Sequence, residues 1–544
     1  MFSIFRRWNL NIYIVPHSHL DAGWIKTTDM IYEEHAKKII ESVLDHMVED
    51  YRARFNWADT YFFARWYKEA DTRYKELAHK FVKEGKFYFV NGGWVEHDES
   101  IPDYRSAIEQ MVVGQQFLNE TFGIVPHIGW QVNSFGETAI TPSIYAMLGI
   151  DSLVNSRIGH SAKTEFKNSQ SLNFIWEGHK ISSHMDKYRI FTHPIIGDYK
   201  IPSPYDFSDE NTIHCPEPFI DIKRSHEFFE KVIKPNMYTY DKSDDIAIVF
   251  GSDNLYENAY MTFYCIDNFM AEVQRLVRDY TNFKYLTYKF ATIEEYVEQV
   301  QKTHKENGWK LPYYNGDFVP YDNRIEKQNS NSKYAVEEYT EFWTGFYTTR
   351  PVIKQQIRDL MHNVRVINSV YSINHLNRKN FNISDDENFD NVTCKNILSG
   401  DPSVHNYTTS QIVSICKDYV TMIKQEASRM LHHHTISGTH PSNTYSLDFN
   451  KTITDTNHDL FALLKILHLN NLKLHFNESA AMLMKNNAKS NDLLTNDISE
   501  DFYPIIMYNP TLQERNEIVN VTVKGVQAIV FDEEFKPIKS QIMH

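Results

Sequence analysis

Residues 10–24 read LNIYIVPHSHLDAGW. Residues 10–16 are apolar and β-branched and close on Pro16, which predicts a buried strand ending in a polar loop. That loop opens with His17, His19 and Asp21 at alternate positions. In an extended segment the three side chains share one side. Two imidazoles and a carboxylate suit zinc, which takes nitrogen and oxygen ligands. The alternative is a hydrogen-bonded polar loop with Trp24 in a core. A second apolar run, DIAIVFGSDN (245–254), stops at Gly251 and turns polar. Its Asp253 reads equally as a helix N-cap and as a catalytic acid. FYFVNGGW (87–94) reads as a strand entering a Gly-Gly turn, and residues 147–156 as a Gly turn with a strand. Residues 31–52 and 102–118 read as helices. Strands alternating with helices over roughly 300 residues predict a parallel α/β sheet or barrel. In such folds ligands sit beyond the carboxyl ends of the strands, where His17, His19, Asp21, Asn133 and Asp253 fall.

The chain has 544 residues, or about three to five domain equivalents. Hydrophobic residues make up 42% and charged residues 23%, with 19 Gly and 18 Pro, so collagen-like and Pro-rich disordered classes are excluded. The net charge is −15. An acidic chain without a long basic run does not suit nucleic acid, whose phosphates demand Lys and Arg. No apolar run is long enough to span a membrane. The four cysteines, Cys215, Cys265, Cys394 and Cys416, form no CxxC pair, so they read as neither a zinc site nor a disulfide framework, with one bridge allowed. No signal peptide is read in MFSIFRRWNLNIYIVPHSH. Seven N-x-S/T sequons, at Asn119, Asn382, Asn391, Asn406, Asn450, Asn477 and Asn520, stand close to the chance number.

Two further segments carry polar chemistry. GWQVNSFGET (129–138) is a polar loop framed by Trp130 and Phe135, and alone it fits any strand-to-helix turn. LHHHTISGTHP (431–441) holds three adjacent histidines, which read equally as metal ligands and as surface polarity. After about residue 320 the pattern changes. Residues 335–378, 408–433 and 457–486 read as helical, with Ile353, Ile357, Leu360, Met361 and Val364 on one stripe. Residues 380–407 read as an Asn/Asp-rich loop, and short alternating strands follow from FYPIIMYNP (502–510).

Taken together these segments resemble glycoside hydrolase family 38, the class II α-mannosidases. The matching stretches, in order, are HSHLDAGW (17–24), GGWVEHDES (92–100), GWQVNSFGET, GSDNLYENA (251–259), GDFVPY (316–321), FWTGFYTTRP (342–351), LHHHTISGT (431–439) and Tyr508-Asn509-Pro510. The resemblance implies a zinc-dependent retaining exo-α-mannosidase with one zinc per chain. Its metal ligands would be His19, Asp21, the nucleophile position Asn133, and His433. Asp253 would be the general acid/base. Trp24, Phe135, Arg157, Tyr199 and His434 would contact substrate, a mannose-containing oligosaccharide or glycoprotein glycan. The implied fold is an α/β-barrel-like N-terminal catalytic domain (1–320), a three-helix bundle (321–480) and the beginning of an all-β sandwich region (500–544).

The sequence departs from the family at three places in one pocket. Asn133 stands where the family has its nucleophilic aspartate, His434 where it has a sugar-binding aspartate, and Glu137 where it has the histidine of FGHS. A neutral amide cannot form the ordinary glycosyl ester and is a poorer zinc ligand than a carboxylate. Glu137 reads as a possible substitute nucleophile, and His434 as either a replacement zinc nitrogen or a solvent-facing polar residue. Three functions follow: an active α-mannosidase, an impaired relative that keeps mannoside or partner binding, or an unrelated metallohydrolase, which the order of the motifs disfavours. Family members work in lysosome-like or Golgi compartments, with a cytosolic branch. Against them the chain reads as short at both ends. Linkage preference and oligomeric state leave no mark in the sequence.

Overall fold

The computed structural model describes residues 9–178, 188–201, 222–240, 243–280, 285–328, 336–380, 394, 414–475, 530–531 and 536–538. The Asn/Asp-rich loop and most of residues 500–544 lie outside these. The N-terminal region is mixed α/β, as the sequence predicts. Its first sheet is built on β1 (Asn9–His19), flanked by β8 (Asp245–Asp253) on one edge and by β2 (Phe55–Trp57) and β9 (Tyr285–Phe290) on the other, with β3 (Phe87–Phe89) beyond β2. Every pairing in it is parallel. A second sheet runs β10 (Tyr313–Asn315), β6 (Phe174–Glu177), β7 (Arg189–Pro194), β5 (Ser152–Asn155), β4 (Ile128–Gln131). Here one pair, β6 with β7, is antiparallel. The sheets meet where Asn91 N donates to the Ile128 carbonyl (2.8 Å). Asn91 and Gly92 hold φ of 63° and 70° there, a left-handed conformation that Asn and Gly adopt at least cost.

β1 is buried on both faces, as parallel strands covered by crossover helices are. Leu10, Ile12 and Ile14 enter one core with Ile246, Ile248 and Phe250 of β8. Tyr13 and Val15 enter another with Ala247 and Val249. The strand does not close at Pro16. It continues to His19, because β8 runs alongside to the His19–Asp253 pair. The Pro16 carbonyl meets the Asn56 side-chain amide (2.9 Å) on the other edge, so the proline interrupts no ladder that β8 depends on. His17 and His19 therefore share the face of Tyr13 and Val15. In β8, Gly251 and Asp253 sit opposite them.

Residues 336–343 are not helical. Val336–Trp343 is a strand paired antiparallel with Tyr321–Gln328 from Tyr321–Trp343 to Gln328–Val336. Long helices follow at Pro351–Asn380, Lys417–Arg429 and Asn450–His475. Ile353, Ile357, Leu360, Met361 and Val364 are all buried, so the stripe read from the sequence is real. Two compact units share these helices. Residues 1–361 and 424–456 form one; residues 362–423 and 457–544 form the other. Cys394 and Cys416 are disulfide-bonded, and so is Cys265, which exceeds the single bridge allowed above. Among the described residues no helix is long and apolar enough to cross a membrane.

Candidate functional site

The C-terminal end of β1 delivers His19, and the turn after it delivers Asp21. Asp21 Oδ1 lies 3.1 Å from His19 Nε2 and 3.2 Å from His433 Nε2. It also lies 3.4 Å from His434 Nε2 and 3.6 Å from His432 Nε2. The three histidines 432–434 are buried, so the surface-polarity reading of LHHHT and the solvent-facing reading of His434 are corrected. The helix Lys417–Arg429 ends just before them and His433–Ser437 forms a short helix. The site lies wholly within the first compact unit.

His17 does not join the cluster. It sits one strand repeat back, its ring edge-on to Trp130 (5.2 Å) and directly over Gly251. A Cβ at Gly251 would fall 2.2 Å from that ring, which explains the glycine. Only the last residue of the strand and the turn beyond it reach the centre. The three-residue His-x-His-x-Asp reading therefore shrinks to its second and third members.

Asn133 lies at the centre. Its Nδ2 is 3.0 Å from both His19 Nε2 and His433 Nε2. Its Oδ1 is buried and has no hydrogen-bond partner among the described residues. The loop that carries Asn133 is clamped by the acidic residues of GGWVEHDES. Asn133 N donates to Glu96 Oε1 (2.6 Å), Phe135 N to Asp98 Oδ2 (2.9 Å) and Thr138 N to Glu99 Oε1 (2.9 Å). Glu96 also accepts from His433 Nδ1 through its carbonyl (3.0 Å). That bond puts the proton on Nδ1 and turns the Nε2 lone pair toward Asp21, the arrangement of metal-bound histidines. Behind it, Glu96 N donates to Asp59 Oδ1 (2.9 Å). Burial, then the neighbouring Glu96, pushes Asp59 up to about 7. Glu96 and Asp59 were missed in the sequence; the quoted motif contained Glu96, but its partner Asn133 is 37 positions away.

Electrostatics concentrate on Asp21. Burial opposes its charge, but the imidazoles of His434 and His19 hold it well below the usual carboxylate range. Burial works against charge on His19 too, yet Asp21, then Glu96 and Asp253, push it up to about 10. His432 and His434 are held well below the ordinary imidazole value, chiefly by burial.

Asp253 stands beside His19 in the sheet. Tyr199 Oη donates to its Oδ1 (2.7 Å) and Lys200 Nζ to its Oδ2 (2.5 Å). The Tyr199 ring also packs on His19, with centroids 4.5 Å apart. Lys200, adjacent to Tyr199, was not read from the sequence. Arg157 Nη1 donates to the Asn133 carbonyl (3.2 Å) and lies over the rings of Phe135 (5.2 Å) and Trp343 (5.8 Å). Trp24 is stacked on His434, with centroids 4.6 Å apart and planes 8° apart. Glu137 Oε2 accepts from Asn155 Nδ2 (3.1 Å), and burial pushes its carboxyl well above the usual carboxylate range, toward the protonated form that is a poor nucleophile.

The residues fit a divalent cation. One atom each of His19, Asp21 and His433 lies within 4.8 Å of the others, and all three residues are buried. Asn133 Oδ1 and Glu96 Oε2 are orphaned beside them. A half-turn of the Asn133 amide places the orphaned oxygen between the two imidazoles, where a cation would take it.

The model of the glycosyl hydrolases family 38 N-terminal domain matches residues 9–324. The chain belongs to glycoside hydrolase family 38. It is 26% identical to "Alpha-mannosidase B" of Dictyostelium discoideum, over 98% of this chain and 50% of that protein. It is 25% identical to "Alpha-mannosidase 2x" of Mus musculus, over 98% of this chain and 45% of that protein. The crystal structure of an α-mannosidase from Enterococcus faecalis V583 shares the fold, with a TM-score of 0.56 at 14% identity, over 87% of this chain and 43% of that one. The family 38 chain thus spans half or less of the length of these relatives.

Proposed function

We propose that this family 38 chain carries a zinc-binding α-mannosidase site directed at terminal α-mannose on N-glycans or their fragments, with hydrolysis reduced by Asn133. The single observation that carries this reading is the position of Asn133. Its amide bridges His19 and His433 at the centre of the site, where the family's nucleophile belongs. His19, Asp21, Asn133 and His433 would hold one zinc, which when bound offers a positive centre to sugar hydroxyls.

The chain's own residues have the following tasks. Retaining hydrolysis needs two carboxyl groups about 5–5.5 Å apart, one as nucleophile and one as acid/base. Asp253 serves as the acid/base, positioned by Tyr199 and Lys200. Asn133 has no carboxylate to offer, so the ester-forming half of the reaction lacks its nucleophile. Arg157 holds the Asn133 backbone and, with Phe135, borders the substrate space. His434 and Trp24 complete it. The boundaries 1–320, 321–480 and 500–544 remain our domain reading. The disulfides favour an oxidising, secretory or lysosome-like compartment.

The test is release of p-nitrophenol from its α-mannoside with added zinc, comparing the native chain with Asn133→Asp. We expect the native chain to be slower by several orders of magnitude, since each 1.36 kcal/mol of lost barrier stabilisation is about tenfold. Turnover of the native chain at an ordinary enzymatic rate would overturn the assignment of Asn133 as the defect.

A further inference from the structure

We propose that Glu96 is the positioning carboxylate of the metal site and supplies the negative charge that Asn133 lacks. This rests on the reading that His19, Asp21, Asn133 and His433 bind zinc. Of those four ligands only Asp21 carries a negative charge, against the double positive charge of the ion. A carboxylate enclosed beside them supplies the second.

Three carboxylates clamp the loop that carries Asn133, and their oxygens are used differently. Asp98 accepts from Ser100 N through Oδ1 (2.8 Å) and from Phe135 N through Oδ2 (2.9 Å). Glu99 accepts from Thr138 N (2.9 Å) and the Thr141 hydroxyl (2.8 Å) through Oε1, and from the Thr138 hydroxyl (3.0 Å) through Oε2. Glu96 uses only Oε1, on Asn133 N. Its Oε2 is buried and has no hydrogen-bond partner among the described residues. That oxygen lies 3.7 Å from His19 Nδ1. Glu96 is 1% exposed, and an enclosed carboxylate oxygen is costly unless a positive group faces it.

His19 supplies that group once metal is bound. Its Nε2 faces the centre, 3.1 Å from Asp21 Oδ1 and 3.0 Å from Asn133 Nδ2. With Nε2 as the ligand nitrogen, the ring proton is on Nδ1, toward Glu96. Metal-bound imidazoles turn their other N–H to a carboxylate or carbonyl in this way, which fixes the ring and raises its basicity. At 3.7 Å the contact is too long for a hydrogen bond. It acts through charge, which salt screens little in a buried site. The backbone of Glu96 completes the set. Its carbonyl accepts from His433 Nδ1 (3.0 Å) and His433 N (3.1 Å), and its N–H is anchored on Asp59 Oδ1 (2.9 Å). One residue thus orients His19, Asn133 and His433 from behind, without taking a ligand position itself.

The experiment measures Zn2+ affinity of the full chain by competition with a chelator, in the native and Asn133→Asp backgrounds, each with and without Glu96→Gln. The glutamine keeps the shape and the acceptor for Asn133 N and removes the charge. We expect Glu96→Gln to weaken zinc about 10–100-fold in the native background. In Asn133→Asp, where a second carboxylate already balances the ion, the factor should be smaller, because the two charges are coupled. Glu99→Gln, which clamps the same loop at Thr138 and Thr141, should leave the affinity near the native value. Native affinity in Glu96→Gln would overturn the proposal while leaving the metal site standing. So would equal losses in the two backgrounds, or a loss matched by a lower urea midpoint of the metal-free chain, since both mark a structural clamp. A native chain that binds no zinc would overturn the underlying reading, and this proposal with it.

Discussion

Two histidine–carboxylate clusters occupy opposite ends of the parallel strands. At the carboxyl end of β1, four imidazoles converge on one carboxylate oxygen of Asp21, fully enclosed. At the other end, His127 precedes β4 and stands between two carboxylates. Its Nδ1 meets Asp151 Oδ1 (3.2 Å) and its Nε2 meets Glu294 Oε1 (2.8 Å), with about a third of its side chain exposed. In the second cluster, negative groups outnumber the imidazole and each ring nitrogen has its own partner. The imidazole is simply protonated, and the cluster ties β4 and β5 to the helix Ile293–Asn307. In the first cluster, imidazoles outnumber the carboxylate, and Asn133 Oδ1, Glu96 Oε2 and His432 Nε2 have no hydrogen-bond partner among the described residues. Ion pairs that satisfy themselves build structure. A cluster that leaves buried polar atoms unsatisfied is arranged around something else.

The largest separation of the two clusters comes from metal binding. His19→Ala should abolish stoichiometric zinc, while His127→Gln should leave one zinc per chain, measured by elemental analysis after dialysis. Equal zinc contents in the two variants would dissolve the distinction.

A smaller effect tests the packing beneath the first cluster. Gly251→Ala drives a methyl group into the His17 ring, which is itself held against Trp130. It should cost about 1–3 kcal/mol in urea unfolding, as overpacking does. Gly197→Ala, with nothing among the described residues within 4 Å of the added carbon, should be near neutral.

The smallest effect belongs to the second cluster and depends on pH. Hydrogen bonds to Asp151, then Glu294, push His127 up to about 10. A folded value above the unfolded one means that the stabilisation is fully present below about pH 6.5 and is lost as pH rises through about 10. His127→Gln should therefore be less stable than the native chain at pH 6 by about 1 kcal/mol or less, given the exposure of the pair. The two unfolding midpoints should converge toward pH 10. A deficit that grows with pH would contradict the charged-imidazole account.

Much of this was legible in the chain. The continuous apolar runs LNIYIVP and DIAIVF predict buried strands, and the residues right after them are the ones that meet. Other features were hidden. VEEYTEFW places Val336, Tyr339, Phe342 and Trp343 at helical spacing, yet pairing with residues 321–328 makes it a strand. Local periodicity cannot announce a partner strand. Pro16 read as a stop because a proline lacks a donor, but the ladder that matters lies on the other edge of β1.

The sequence by itself determined the family, the two buried strands that carry His19 and Asp253, and the substitution of an amide for a carboxylate at Asn133, because these are properties of residue type and order. Only the tertiary structure decided that His17 stands aside, that Glu96 holds both Asn133 and His433, and that His434 lies buried between Trp24 and Asp21. The physical reason is distance. Asp21 and His433 are over four hundred residues apart in the chain, and such groups meet only where folding brings them within a few ångströms and removes the water between them.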